Sequence, residues 1–507
     1  MSIIEAQVHQ KLLQLSRQTE GDNWQHHLTL ARLVARGLRL GRSALIQTRT
    51  GVGDYAASYL TPLLMSAEPV VLVTPPKLQQ WLFTTEIPRL QTQLFTDKPV
   101  NIVTHLEKKP AGIALITPDD WLDSMLGDRS VVSVTTILNP VDDLWQWVQN
   151  HVRFNVTLAD WETLQQQNPA QQDLIQTQYN HLKTHLLRRS PNPYHCHLLL
   201  DTELEQFSEC LQLPTLPTPW QTLRQTLANS EAKPLCWAML NRQDGSFSIN
   251  VAPQKVSTLL KPLWEKQATL FIGGFLDTEK IAPTFRDQIG LDEDLTCVKF
   301  TPPRQQHQTQ VYLPEKRLPL PNTPEFQGRL LAQLQRLARL SRNVKRPVVL
   351  LINDVPLQAQ MGAALAAEFG SIVKVEQTNL EADSILICGW EFWQSLTNPL
   401  FYGQTLNFPL PQLMAIATLP LPSLENPLVA GRVAHYKAQR QDWFRLYLLP
   451  TALRELQRAI YPLHQDQSLI AILDNRINHR AYGQQILDAL QPCSYCNYLD
   501  PSWFGCW

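Results

Sequence analysis

Short, wholly apolar runs alternate with helical stretches along most of this 507-residue chain, and that alternation narrows its fold more than any other feature. The first series is "SALIQT" (43–48), "PVVLVTPP" (69–76), "VVSVTTIL" (131–138) and "ATLFIGGFL" (268–276). A strand with one wet face alternates apolar and polar residues; these runs do not, so each is expected to be buried on both faces. Helical stretches lie between them. "LTLARLVARGLRL" (28–40) puts Leu28, Ala31, Ala35 and Leu38 on one face, and Arg32, Arg36 and Arg39 on another, before Gly41 at the C-cap position. Strand and helix in this order predict a parallel sheet covered by helices on both sides.

The pattern restarts beyond residue 325 with "PVVLLIND", "SIVKVEQ", "SILICGW", "LMAIATLPLP" and "SLIAILD". Between the two series, residues from about 146 to 261 are rich in Gln, Leu, Trp and Pro. They include "LCWAMLNRQDGSFSINV", a hairpin turning at Asp244-Gly245. The expected organisation is a first α/β domain (1–145 and 262–305), a mainly helical insert (146–261), a proline-containing linker (306–324) and a second α/β domain (325–507).

Composition excludes some partners and leaves others. The formal net charge of −1 gives no overall pull toward a polyanion. Residues 430 to 480 hold eight Lys/Arg against four acids, a mild local lean the other way. The start, "MSIIEAQVHQKLLQLSRQ", lacks a basic segment followed by an apolar core, and no apolar run reaches the ~18 residues of a membrane span. The expectation is a cytoplasmic protein with no membrane partner.

The first strand runs into "TRTGVGDYAASYL" (48–60), laid out as a strand, a glycine turn and a helix. A working phosphate loop, G-x-x-x-x-G-K-[ST], cradles phosphates on backbone amides and neutralises them with its lysine. Aligned on Gly53, this loop has Arg49 at the first glycine, Asp54 at the lysine and Tyr55 at the hydroxyl. A charge pair ~4 Å apart is worth about 4 kcal/mol at an effective dielectric near 20, so reversing its sign costs up to about 8 kcal/mol. Taken alone, the stretch fits an ordinary glycine turn better than a nucleotide site.

Other segments change that weighting. "LMAIATLPLPSLENPLVAGRVAHY", "YLLPTALRELQRAI" and "AILDNRINHRAYGQQIL" follow one another in order near the end of the chain. Upstream stand "VLVTPPKLQQWLFTTEIPRL", "INVAPQKVSTLLKPLWEKQATLFIGGFL" and "GWEFWQS". In this order they resemble the DinG/XPD-type superfamily-two ATP-dependent DNA helicases over nearly the whole length. The resemblance implies two RecA-like domains with an arch-like insert, a nucleic-acid partner such as single-stranded or forked DNA, a role in DNA repair, and ATP with Mg²⁺ as cofactor.

Position by position, the implied ATP chemistry is eroded. Thr50, Gly51 and Gly53 are a vestigial phosphate loop, with Asp54 and Tyr55 where the lysine and hydroxyl belong. The acid box falls on Asn139, Pro140, Val141 and Asp142, leaving Asp142 or its neighbour Asp143 as substitute metal carboxylates. Gln457 survives in the arginine-finger helix, but the arginine positions are Tyr461 and His464, and Arg458 is displaced from them. The coupling motif reads Gly273, Gly274, Phe275, and the base-contacting glutamine near the start falls on His27.

The resemblance also points to Thr74 and Gln79 as nucleic-acid contacts, and the exposed-looking pair Arg188 and Arg189 adds to them. The family's iron–sulfur cluster is not expected, because no cysteine lies between residues 53 and 139. The tail offers Cys493, Cys496 and Cys506, three thiols where zinc wants four ligands, so incidental cysteines are the better reading. Three functions stay open: a nucleic-acid-binding pseudoenzyme, a residually active helicase working through Arg458 and Asp142, and a protein-interaction scaffold.

Overall fold

A computed structural model describes residues 4–16, 24–106, 108–127, 133–206, 208–228, 234–301, 309–315, 318–321, 323–342, 344–465 and 468–504. The first apolar series forms a seven-stranded sheet. Its order is Thr296–Lys299, Ala44–Gln47, Thr269–Gly273, Thr136–Leu138, Val70–Val73, Ile113–Ile116 and Val100–Ile102. Every adjacent pair is parallel, with Leu45 opposite Phe271 and Leu72 opposite Ile137. The strands Ala44–Gln47, Val70–Val73, Ile113–Ile116 and Thr136–Leu138 are buried along their full length, as unbroken apolar runs require.

The second series builds another all-parallel sheet of seven strands: Val373–Val375, Ile385–Cys388, Val348–Leu351, Leu413–Ile416, Leu469–Ile472, Thr309–Tyr312 and Cys493–Cys496. Helices cover both faces of each sheet, and the result is two RecA-like α/β domains. Gly41 takes φ +59° immediately after the helix Trp24–Leu40, the backbone a C-cap glycine supplies. Among the described residues no helix is long and apolar enough to cross a membrane.

Two expectations change. The stretch read as a linker, 306–324, contributes Thr309–Tyr312 as a strand inside the second sheet. Its four residues, "TQVY", open with two polar side chains in succession, so they carry no buried-strand signature. The insert is helical as expected, with helices Leu158–Gln167, Gln172–Arg188 and Thr218–Ala228. These helices cover a four-stranded antiparallel sheet, ordered Phe154–Val156, Ser246–Ala252, Leu235–Asn241 and Cys196–Leu198. The hairpin at Asp244-Gly245 forms its centre, with Gly245 at φ +67°. Two three-residue strands escaped the sequence because so short a run has no period to detect.

Two of the insert's tryptophans serve its own core. Trp161 and Trp220 are fully buried edge to face at 4.6 Å. Its sheet also reaches the second domain, where Gly431 on the helix Pro427–Ala438 packs against Leu235 and Leu198.

Candidate functional site at the seam between the domains

The strand Ala44–Gln47 ends at the loop 48–55, which leads into the helix Ala56–Met65. This places the loop at the carboxyl end of a central parallel strand, where α/β proteins hold phosphates. The second domain packs directly onto it. A β-carbon added to Gly51 would lie 2.6 Å from Tyr461 Oη and 2.8 Å from the Phe401 carbonyl. One added to Gly53 would lie 2.1 Å from the Gly403 amide nitrogen. Both glycines are therefore kept by close backbone approach of another part of the chain. Only residues without a side chain admit the end of the helix Trp390–Phe401 at this distance.

Aromatic side chains fill the space between. Phe275, Phe401, Tyr402 and Tyr461 are all buried, and they join Val52 and Tyr55 in one apolar cluster that spans both domains. The rings of Phe275, Phe401 and Tyr461 lie 6.0–6.2 Å apart, centre to centre. Tyr55 continues the cluster away from the seam. It packs on His27 at 4.5 Å, while His26 stacks on Phe300 at 4.7 Å. His27 shares a 2.8 Å hydrogen bond with Ser58, and burial lowers its pKa to about 4. The imidazole is thus a neutral packing group at physiological pH.

The charged groups pair with each other across the seam. Tyr461 Oη donates to Asp54 Oδ2 at 2.8 Å. Asp54 is exposed by area, while its carboxyl is crowded by the second domain's Tyr461 and by Thr50 of its own loop. That crowding raises its pKa from 3.8 to about 6, against the lowering effect of the Tyr461 and Thr50 hydrogen bonds. Arg458 Nη1 lies 2.6 Å from Asp143 Oδ1, its Nη2 donates to Asn398 at 2.8 Å, and its guanidinium lies 4.9 Å from the centre of the Phe401 ring. Arg458 is held above its usual pKa by Asp143 and Asp142, which outweigh the effect of burial.

Asp142 is wholly committed to the backbone. Its Oδ2 accepts from the Gly274 amide at 2.9 Å and its Oδ1 from the Phe275 amide at 2.7 Å. Burial raises its pKa, and the Arg458 charge opposes that shift. Asn139 and Pro140 are buried at the end of the neighbouring strand.

ATP with Mg²⁺ does not fit these residues. A carboxyl stands at the lysine position, the two glycines are covered by the second domain, and the remaining acid-box carboxylate is capped by two amides. No step through that cofactor follows from the arrangement. Of the two substitute groups, Arg458 is ion-paired with Asp143 and Asp142 accepts from two backbone amides, so both carry a structural duty. Gln457 is buried on the helix Leu449–Ile460, and His464 is turned to Thr309 Oγ1 at 3.0 Å.

The other candidate residues lie apart from the seam or beneath the surface. Thr74 and Gln79 are buried, so their side chains do not present a nucleic-acid surface. Arg188 is exposed, but Arg189 is held internally by Glu203 at 2.5 Å and the Leu198 carbonyl at 2.7 Å. Cys493 and Cys496 lie three residues apart on one strand and pack into different clusters on opposite faces of the second sheet. They cannot share one tetrahedral ion there. Cys506 lies outside the described residues.

Sequence reasoning missed Phe401 and Tyr402, which carry no motif, and the partnership of Arg458 with Asp143. The signal for the latter was present: an arginine displaced from one motif and an acid displaced from another.

Comparison with known proteins places this geometry. Residues 403–493 match the family model for a helicase C-terminal domain. The Xpd4 structure from S. tokodaii matches with a TM-score of 0.59 at 12% identity, over 93% of this chain and 100% of that one. A second XPD helicase matches at 0.60 and 11% identity over 94% and 100% of the two chains. An apo XPD structure gives 0.57 and 12% over 92% and 99%. No protein of curated function matches the chain by sequence.

Proposed function

We propose, for a chain that has the XPD-type helicase fold and carries a helicase C-terminal domain, that it binds nucleic acid without coupling that binding to ATP hydrolysis. The observation that carries this reading is the seam: Phe401, Tyr402 and Tyr461 cover the glycine loop, and Asp54 stands at its lysine position. Phosphoryl transfer rests on positioning plus electrostatic stabilisation by a lysine, a metal and arginines, and each of those positions holds another group here. Nucleic-acid binding is inferred from the fold, and single-stranded or forked DNA is the substrate class we favour.

Three measurements test it. A DNA-stimulated ATPase assay on the purified protein should give no turnover above a blank, and ATP should give no binding heat. Asp54→Lys should not restore hydrolysis, because the acid box and arginine positions are still changed. Turnover that Arg458→Ala or Asp142→Asn abolishes would sink the pseudoenzyme reading. Fluorescence anisotropy with single-stranded and forked oligonucleotides should show binding that weakens steeply with salt. No binding at low salt would leave only the scaffold reading.

A further inference from the structure

The insert's helix Gln172–Arg188 carries "HLKTH" at residues 181–185. The face it turns to the insert's core is Ile175, Tyr179, Leu182 and Leu186, all buried. His181 and His185 lie one turn apart on another face, and both are exposed. Packing therefore gives no reason for an imidazole at either position. Two histidines at i and i+4 on one helix face are the arrangement that holds a metal ion between neighbouring turns.

The two rings have the spacing such an ion needs. Their centres are 4.7 Å apart and their planes 35° from parallel. An ion ~2.0–2.1 Å from one nitrogen of each ring, with the two ligands about 90–110° apart, sets the ring centres about 4.5–5.2 Å from each other. The observed spacing falls inside that range. His181 Nδ1 lies 3.1 Å from Gln206 Oε1, at the end of the helix Asp201–Gln206. A carboxamide oxygen only accepts, so Nδ1 carries the proton and Nε2 keeps its lone pair. A partner on the far nitrogen that fixes the tautomer in this way is the usual support of a ligating histidine. Among the described residues no hydrogen bond engages the His185 ring. Lys183 stands two residues from each histidine, on the opposite side of the helix, and its Nζ lies over the Tyr179 ring at 5.9 Å. Arg188, three residues beyond His185, is an exposed cation on the same face, where water and salt screen its repulsion.

We propose that His181 and His185 bind a divalent transition-metal ion on the surface of the insert. Imidazole nitrogen suits Zn²⁺, Ni²⁺ and Cu²⁺, and a given set of nitrogens holds Cu²⁺ most tightly. Among the described residues no group of three His, Cys, Asp or Glu side chains is placed to hold an ion. Water therefore fills the other coordination positions, and the ion is exchangeable, unlike a structural centre closed by four protein ligands. Once bound it staples one turn of a helix whose other face forms the insert's core, and Gln206 ties that turn to the helix Asp201–Gln206. The site goes beyond the reading above and depends neither on nucleic acid nor on the seam between the domains.

The test uses the full chain without an affinity tag, the variants His181→Ala, His185→Ala and Gln206→Ala, and Cu²⁺, Ni²⁺ or Zn²⁺ as chlorides. Isothermal titration gives affinity and stoichiometry, and electron paramagnetic resonance of the Cu²⁺ form counts the nitrogens on the ion. The chain has 13 histidines, so the readout is the difference between wild type and variants. Wild type should hold one Cu²⁺ through two nitrogens, and Ni²⁺ and Zn²⁺ more weakly. Gln206→Ala should weaken the site about tenfold, the low end for a group that only orients a ligand. Each histidine variant should weaken it further and take away the two-nitrogen signal. Both histidines are exposed, so without metal their variants should unfold at the wild-type temperature. Saturating metal should raise the wild-type midpoint more than theirs. Equal Cu²⁺ affinity and stoichiometry in wild type and both histidine variants would overturn the site, as would a single nitrogen on the wild-type ion. Loss in one histidine variant but not in the other would also overturn it, since the pair is what is proposed.

Discussion

The two parallel sheets are built alike and differ in what they bring to the seam. The first presents bare backbone at Gly51, Gly53 and Gly274 together with three carboxyls, Asp54, Asp142 and Asp143. The second presents aromatic rings at Phe401, Tyr402 and Tyr461 and the cation Arg458. The surfaces complement each other in shape and in charge. A cleft meant for a polyanion would place cations on the loop and leave room before them. Here acids and glycines face rings and an arginine, which is the complementarity of a protein interface with an apolar centre. Fold and ligand chemistry are thus separable: two parallel sheets can meet through a packed interface as well as around a ligand.

If this contrast is right, the seam should respond to substitution as a core does. Phe401→Ala should have the largest effect, lowering stability by about 3–4 kcal/mol in urea unfolding, as for other buried aromatic truncations. A loss under about 1 kcal/mol would mean that solvent or a ligand, not packing, occupies this space. Arg458→Ala should cost about 2–3 kcal/mol, because Asp143 is left with little solvent to replace its partner. A double-mutant cycle with Asp143→Ala should return a coupling of roughly 1–3 kcal/mol, and additivity would break the pairing.

Tyr461→Phe removes only the hydroxyl that donates to Asp54, and about 1 kcal/mol or less is expected. The smallest effect concerns pH. Asp54 has a folded pKa of about 6 against 3.8 in the unfolded chain, so the folded chain holds its proton more tightly. Its contribution is complete below pH 3.8 and is lost as pH rises through about 6. The urea midpoint of wild type should therefore gain slightly, relative to Asp54→Asn, between pH 7 and pH 5. A difference that does not change over that window would mean that the Asp54 carboxyl is wetter than its neighbours imply.

Much of the architecture was legible because it is written locally. "VVLV" and "LIAI" have one reading as strands, since a run without polar residues must be buried on both faces. The hairpin at Asp244-Gly245 and the glycine after Leu40 were legible for the same reason, a backbone need met by one residue type. Polar "TQVY" was illegible as a strand, because its place comes from neighbours at 469–472 and 493–496 and not from its own pattern.

The site divides the same way. The sequence offered a resemblance, in which other residues stand where a phosphate-loop ATPase is expected to have its lysine, acids and arginines. What those residues do instead was decided by the tertiary structure. Asp54 meets Tyr461, Asp143 meets Arg458, and Asp142 meets the amides of Gly274 and Phe275. These partners are separated by more than a hundred residues, and no period or spacing in the chain links them. Only the packing of one folded domain on the other sets such distances, and it turned a set of missing groups into a closed, complementary seam.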